Sequence, residues 1–333
     1  MASRDRGWRA SDNLTTGTYL AQWLADVAPG LNVRPKTVES YRWAIEKYLI
    51  PGLGARPLRD LSPEDVEAVL SQMSAGGLSR NSLRIVRVTL SRALAHAERR
   101  QVVTRNVTSL VVMPHDAKRG VQGRGSIRPE QLGTFVEAIR GHRLEAMWLT
   151  LLMLGLRPGE AAALCWDDVD LDRLVLHVTR TRRYESGKMT LGPPKTKKST
   201  RSLGMPAKLA DAYISHRERQ IAEAVAAGPA WQDNGLVFCT NKGAMLDPAN
   251  IRHSLARIQT SAGLDHFVPY ELRHSATSLL SDAGVSIEEI ADLLGHANTS
   301  MVEQVYRHRV RKVIDAGKMM DGVLDKHATN PPV

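Results

Sequence analysis

Cysteine is scarce in this chain: Cys165 and Cys239 are the only two in 333 residues, with no Cys-x-x-Cys pair and no Cys/His cluster. That excludes a disulfide scaffold and a structural zinc site, and leaves two reduced, buried thiols as the expectation. Long apolar runs are missing as well. No stretch of about 18 apolar residues occurs, and the N-terminal MASRDRGWRASDN lacks the apolar segment of a secretory signal, so a cytoplasmic protein that spans no membrane is expected. The sequence also has no internal repeat and no low-complexity tract. Acidic charge is in short supply, with 35 Asp and Glu against 45 Lys and Arg, a net charge of +10 and a pI near 9.8. Such a chain attracts a polyanion, and nucleic acid is the leading candidate. With 43% hydrophobic residues, the length suffices for two domains, each burying its own core.

From Thr18 to Leu110 apolar residues recur at helical spacing. Val38, Tyr41, Ile45, Tyr48 and Leu49 form one stripe, and Val66, Val69, Leu70 and Met73 form another. Ser62-Pro63-Glu64-Asp65 writes a helix start, and Gly76-Gly77 its stop. A third helix is predicted over Asn81 to Arg99, with Leu83, Val86, Leu90 and Leu94 on one side and Arg84, Arg87, Arg92 and Arg99 around the rest. Such a helix can touch phosphates. Residues 14–113 are therefore read as a helical domain and residues 114–128, rich in Gly and positive charge, as a basic linker. The second domain, 129–325, opens with a helix carrying Leu132, Phe135, Val136 and Ile139, followed by an apolar helix ending at Gly155 and a helix from Pro158 to Trp166. Strand alternation follows at Leu174, Leu176 and Val178, with a returning strand at Thr200 to Leu203 after a Gly-Pro-Pro turn. Beyond Ala207 the pattern is mostly helical, with Ser286 and Glu289 capping one helix. The fold class expected is mainly α with a small antiparallel β-sheet, in two domains.

Between Arg180 and Arg201 lie Arg180, Arg182, Arg183, Lys188, Lys195, Lys197, Lys198 and Arg201, opposed by Glu185 alone. A solvated charged face would look the same, but this clustering on a turn-containing ribbon favours contact with a DNA backbone. In LGLRPGE, Arg157 sits at the mouth of a helix with Glu160 three residues on. A guanidinium there can grip a phosphate with two bonds, or equally form a capping ion pair. A second cluster is Tyr270-Glu271-Leu272-Arg273-His274. A third is Leu294-Gly295-His296, ten residues ahead of Tyr306. Asp167, Asp168, Asp170 and Asp172 are read as a plain acidic turn in preference to a Mg²⁺ site.

Taken in order, LGLRPGE, the basic hairpin with PKTK, YELRH, LGH and QVYRH resemble the tyrosine recombinases, the phage integrases. The likeness covers nearly the whole chain, because the segment with LSPEDVEAVL looks like the core-site DNA-binding domain of these enzymes. It implies a catalytic domain of the DNA breaking-rejoining type with a C-terminal tail helix. The implied reaction is transesterification at a phosphodiester, with Tyr306 as nucleophile, Arg157, Arg273 and His296 stabilising the phosphorane, and Lys195 as general acid, a role Lys197 or Lys198 could also fill. Glu160 matches the acidic position that orients these groups. Tyr270 stands where most members carry histidine; its hydroxyl can still donate to a phosphate oxygen. His274 points about 100° around the helix from Arg273, which favours a structural role.

Because a phosphotyrosine keeps the energy of the broken bond, the resemblance implies no ATP, metal or other cofactor. It further implies double-stranded DNA core sites as substrate, a homotetramer on two sites, and accessory directionality or DNA-bending proteins, with the protein on the nucleoid when bound. About 17 residues precede the first helix, so an arm-site domain is not expected. The apolar face of residues 310–324 can dock on a neighbouring protomer or on its own domain. Two competing readings are a non-catalytic DNA-binding relative and a type IB topoisomerase.

Overall fold

The structure, a computed structural model, describes residues 13–114, 127–185, 188–194 and 197–295. It falls into two compact units, Met1–Gly123 with Tyr184–Lys188, and Arg124–Arg183 with Met189–Val333.

In the first unit the helices are α1 (Thr16–Gln22), α2 (Pro35–Ala44), α3 (Ile50–Leu53), α4 (Pro63–Ala75) and α5 (Arg80–Arg99). α4 starts where the sequence says. The Ser62 hydroxyl accepts the Asp65 amide at 3.3 Å and the Asp65 carboxylate accepts the Ser62 amide at 3.1 Å, so two orphan donors of the first turn are satisfied reciprocally. It stops at Gly76, and Gly77 takes φ +84°, a conformation open to a residue without Cβ. α5 buries Leu83, Val86, Leu90 and Leu94 and exposes Arg84, Arg92 and Arg99. The stripe from Val38 to Leu49 is not one regular helix. A π-helical turn, Ile45–Leu49, joins α2 to α3; its wider turn shifts the phase so that Tyr41 and Ala44 before it and Ile45, Leu49 and Leu53 within and after it all face the core.

The second unit begins with α6 (Pro129–Ile139), α7 (Glu145–Met153) and a single turn, α8 (Pro158–Ala161). α7 is apolar on nearly every side, and Ala146 through Leu152 are all buried, which makes it the central helix of this core. Strands β1 (Val169–Asp170), β2 (Val175–Val178), β3 (Thr181–Glu185), β4 (Lys188–Gly192) and β5 (Arg201–Gly204) form two small antiparallel sheets, ordered β1-β2-β5 and β3-β4. In the first, Leu176 pairs with Leu203 and Val178 with Arg201, which turns Leu176, Val178 and Leu203 into the core. α9 (Ala207–Ala227), α10 (Pro248–Ser261), α11 (Pro269–Asp282) and α12 (Ile287–Leu294) complete the unit. Phe135, Trp148, Tyr213, Phe238, Leu255 and Leu272 fill its centre. The fold is thus mainly α with small antiparallel sheets. Among the described residues no helix is long and apolar enough to cross a membrane.

Two sequence expectations are corrected here. The helix expected from Pro158 to Trp166 stops at Ala161, because two long-range bonds and one local cap capture the chain beyond it. The Leu164 carbonyl accepts the Val237 amide at 2.9 Å, the Trp166 amide donates to the Gly235 carbonyl at 2.9 Å, and the Asp168 carboxylate takes the Cys165 amide at 2.9 Å. Leu174 is not a strand residue. It adopts φ +54° in the turn before β2, and its carbonyl accepts the Met205 amide at 2.7 Å. The expected tail helix, and all but the ends of the expected linker, lie outside the described residues.

Candidate active site

α7 ends at Met153 with Leu154 as its C-cap, and Gly155 just beyond takes the left-handed region at φ +60°. Two residues later Arg157 takes the extended N-cap conformation of α8, and Pro158 fixes the first helical φ. This short turn puts the Arg157 side chain over the carboxylate of Glu160. Nη1 donates to Oε1 at 2.6 Å, and the Arg157 amide donates to Oε2 at 3.0 Å. The other approach to Oε2 is Nη2 of Arg201, at 3.3 Å. Glu160 is 2% exposed, Arg201 7% and Arg157 34%, so the one guanidinium of the three-membered network that reaches solvent is that of Arg157. Burial pushes the Glu160 carboxyl up, but the Arg201 charge, the Arg157 amide and the Arg157 charge outweigh it and hold the group below the usual carboxylate range.

Arg273 lies on the first turns of α11, which is capped by the Glu271 carboxylate on the Val268 amide at 2.6 Å. Its side chain is 2% exposed. Nη1 donates to the Gly155 carbonyl at 2.5 Å and Nη2 to the Leu294 carbonyl at 2.7 Å, so it bridges the ends of α7 and α12. Burial, then the nearby Arg157 charge, lower its pKa to about 10, with Glu160 opposing, and it stays protonated at neutral pH. Arg157, Arg201 and Arg273 thus gather around one carboxylate. A local excess of fixed positive charge with an exposed guanidinium at its edge is suited to an anion such as a phosphodiester.

Tyr270, on the same helix, is 37% exposed. Its ring meets the His274 ring edge to face at 5.2 Å between centroids. Burial and the Arg273 charge lower the His274 pKa, so its imidazole is neutral at pH 7. His274 lies one turn on from Tyr270, so the two side chains share a face of α11.

The basic residues separate into three groups. Arg84 and Lys198 are exposed. Arg87 is half-buried and donates to the Thr108 and Val111 carbonyls at 3.3 and 3.5 Å, Arg182 donates to the Leu246 carbonyl at 2.6 Å, and Arg183 donates to the Pro193 carbonyl, so each also braces the backbone of another segment. Arg201 is a correction: expected to contact DNA, it is buried, with donors engaged by Glu160, the Leu293 carbonyl at 2.6 Å and the Ser199 carbonyl at 3.0 Å. No short-range pattern marks this role, since Glu160 is 41 residues away and Leu293 is 92. Tyr306, His296 and Lys195, and the side chain of Lys197, lie outside the described residues.

In the acidic turn, Asp168 is buried and accepts from the Cys165 amide, Thr179 Oγ1 at 2.8 Å and Arg180 Nη2 at 3.4 Å, while Asp170 accepts the Arg173 amide at 2.8 Å. These carboxylates hold the chain reversal together. Among the described residues no group of three or more His, Cys, Asp or Glu is placed to share a metal ion. Cys165 and Cys239 are free, buried thiols, with pKa values raised by burial.

Comparison with known proteins gives a family. The profile of the phage integrase family matches residues 126–312, and that of the phage integrase N-terminal SAM-like domain matches residues 15–74. An integrase of Streptomyces ambofaciens is 38% identical over 330 residues, covering 95% of this chain and 82% of the relative. A XerC-like tyrosine recombinase of Caldanaerobacter subterraneus subsp. tengcongensis is 25% identical over 319 residues, covering 90% and 81%. Among solved structures, the Tn1549 transposon integrase in complex with a circular intermediate DNA shares the fold at a TM-score of 0.76 and 18% identity, covering 93% of this chain and 99% of that one. A lambda integrase dimer bound to a COC′ core site does so at 0.66 and 20%, covering 91% and 81%. The chain belongs to the phage integrase family, the tyrosine-type site-specific recombinases.

Proposed function

We propose that this protein integrates or excises a mobile DNA element by cleaving core-site DNA through a 3′-phosphotyrosyl bond to Tyr306. The observation that carries the reading is the fixed arginine set, in which Arg157 is oriented by buried Glu160 and Arg273 is held by two carbonyls at motif positions. A phenol with a pKa near about 10 attacks phosphorus poorly unless positive charge surrounds it. In the proposed mechanism, charge developing on the non-bridging oxygens is met by Arg157 and Arg273, with His296 and the Tyr270 hydroxyl adding hydrogen bonds. As the Tyr306 oxygen bonds to phosphorus its hydroxyl proton passes to water, and Lys195 protonates the departing 5′ oxygen, so that a hydroxyl and not an alkoxide leaves. Rejoining reverses these steps, the 5′ hydroxyl attacking the phosphotyrosine, and no ATP or metal is needed.

In this reading residues 14–113 bind the core site, residues 129–325 perform the chemistry, and 114–128 link them. Phosphate contacts come from Arg84, Arg87, Arg182, Arg183, Lys197 and Lys198. The Tn1549 and lambda proteins were solved on DNA, and one lambda structure is a tetramer on a Holliday junction. A homotetramer on two double-stranded sites, with accessory bending or directionality proteins, follows by analogy.

A nicked suicide substrate tests the proposal. The unaltered chain should yield a covalent protein–DNA adduct on a denaturing gel, and Tyr306→Phe should yield none. Specific DNA binding without an adduct from the unaltered chain would make it a catalytically silent relative.

A further inference from the structure

We propose that Arg201 is a positioning residue for strand cleavage, acting through Glu160 on Arg157 and through the C-terminal turn of α12. The proposal rests on the recombinase reading above and adds a residue to it. One planar guanidinium serves three segments distant in sequence. Nη2 holds Glu160 Oε2, Nη1 holds the Ser199 carbonyl, and Nε holds the Leu293 carbonyl. The last of these is one of the closing carbonyls of an eight-residue helix, and its neighbour, Leu294, is taken by Arg273. Two buried arginines therefore cap adjacent carbonyls where the helix dipole is negative.

The turn after the helix is built against the same group. Gly295 takes φ +65°, and a Cβ there would stand 3.0 Å from the Lys198 carbonyl and 3.2 Å from both Arg201 Nη1 and Ser199 Cα. Backbone thus lies directly on the Arg201 fork. In sequence, the three segments carry Arg157, the hairpin lysines and His296 onward. A lysine at 201 would keep the charge beside Glu160 but has a single nitrogen, which cannot meet three acceptors spread across a plane. Glu160, released on one side, would then let Arg157 rotate.

The test is single-turnover cleavage of the nicked substrate by the full chain at saturating DNA. The scissile phosphate is either natural or a methylphosphonate, which lacks one negative charge and so depends less on well-placed guanidinium groups. On the natural phosphate R201K should lower the rate constant by about 10- to 100-fold, the scale of a misplacement near 1 Å. The burst amplitude should be retained, and most of the rate deficit should vanish on the methylphosphonate. An unchanged rate constant overturns the proposal. So does an equal deficit on both substrates, whereas a loss of amplitude marks unfolded R201K and hands the decision to a second variant. Should R201K not fold, E160Q/R201M removes both buried charges together; it should cleave more slowly than E160Q alone, and equal rates overturn the proposal. An unaltered chain that forms no adduct would instead remove the recombinase reading, and this proposal with it.

Discussion

Gly155 offers a quantitative test of how tightly the arginine site is built. At φ +60° any residue with a Cβ is strained, by roughly 1–2 kcal/mol. The new methyl would also stand 2.5 Å from Leu294 Cδ2 and 3.4 Å from Ala276 Cβ. The second distance is ordinary contact. The first is an overlap, and with Leu294 only 1% exposed the strain of repacking adds about 1–3 kcal/mol. Gly155→Ala should therefore destabilise the second unit by about 2–5 kcal/mol; with an m-value of about 2 kcal/mol per molar, a mid-range 3 kcal/mol lowers the urea midpoint by about 1.5 M. Because the Gly155 and Leu294 carbonyls both hold Arg273, cleavage should slow as well. Leu294→Ala removes Cδ2, so the double variant should be less destabilised than the sum of the two singles by about 1–2 kcal/mol, with the φ strain remaining. Urea denaturation of the full chain, followed by tryptophan fluorescence, measures all four proteins. A Gly155→Ala midpoint within about 0.3 M of the unaltered protein, which at that slope is under about 1 kcal/mol, would refute the reasoning. Strict additivity would refute its steric half.

Two further outcomes are expected. If the Tyr270 hydroxyl donates to a phosphate oxygen, Tyr270→Phe should slow cleavage by about 10²-fold and by more than Tyr270→His, whose ring can still donate; equal rates for all three would dismiss the idea. Burial raises the Glu160 pKa, but Arg201 and Arg157 hold it lower in the folded protein than in the unfolded chain, so its stabilisation is full above the unfolded value and is lost as pH falls through the folded one. An acid titration followed by circular dichroism should show this loss below the ordinary carboxylate range for the unaltered chain and a shallower dependence for Glu160→Gln, and parallel curves would contradict it.

Local signals in the sequence were sufficient wherever the chain is governed by its neighbours. Ser62, Pro63 and Asp65 fix the start of α4, and Ser286 and Glu289 fix that of α12, because a cap is completed within three residues. The pairing of Arg157 with Glu160 has the same short reach. What escaped the sequence is what depends on distant partners. The stretch after Ala161 has helical periodicity, yet Gly235 and Val237 capture it. Arg201 looks like one more cation on a basic ribbon, and only the fold shows that its acceptors come from α8, α12 and its own turn. Arg273 meets a carbonyl 118 residues back in the chain, a distance over which composition and spacing carry no information.

Those long separations bear on when the arginine set comes into being. A nuclease-like centre assembled from one contiguous loop would be competent as soon as that loop emerged from the ribosome. Here the guanidinium groups reach their acceptors only after α7, β5, α11 and α12 have all packed, and opening any one of them strands a buried charge or carbonyl. Nascent or partly melted chains therefore carry no organised arginine set, which exists only once α7, β5, α11 and α12 are packed together.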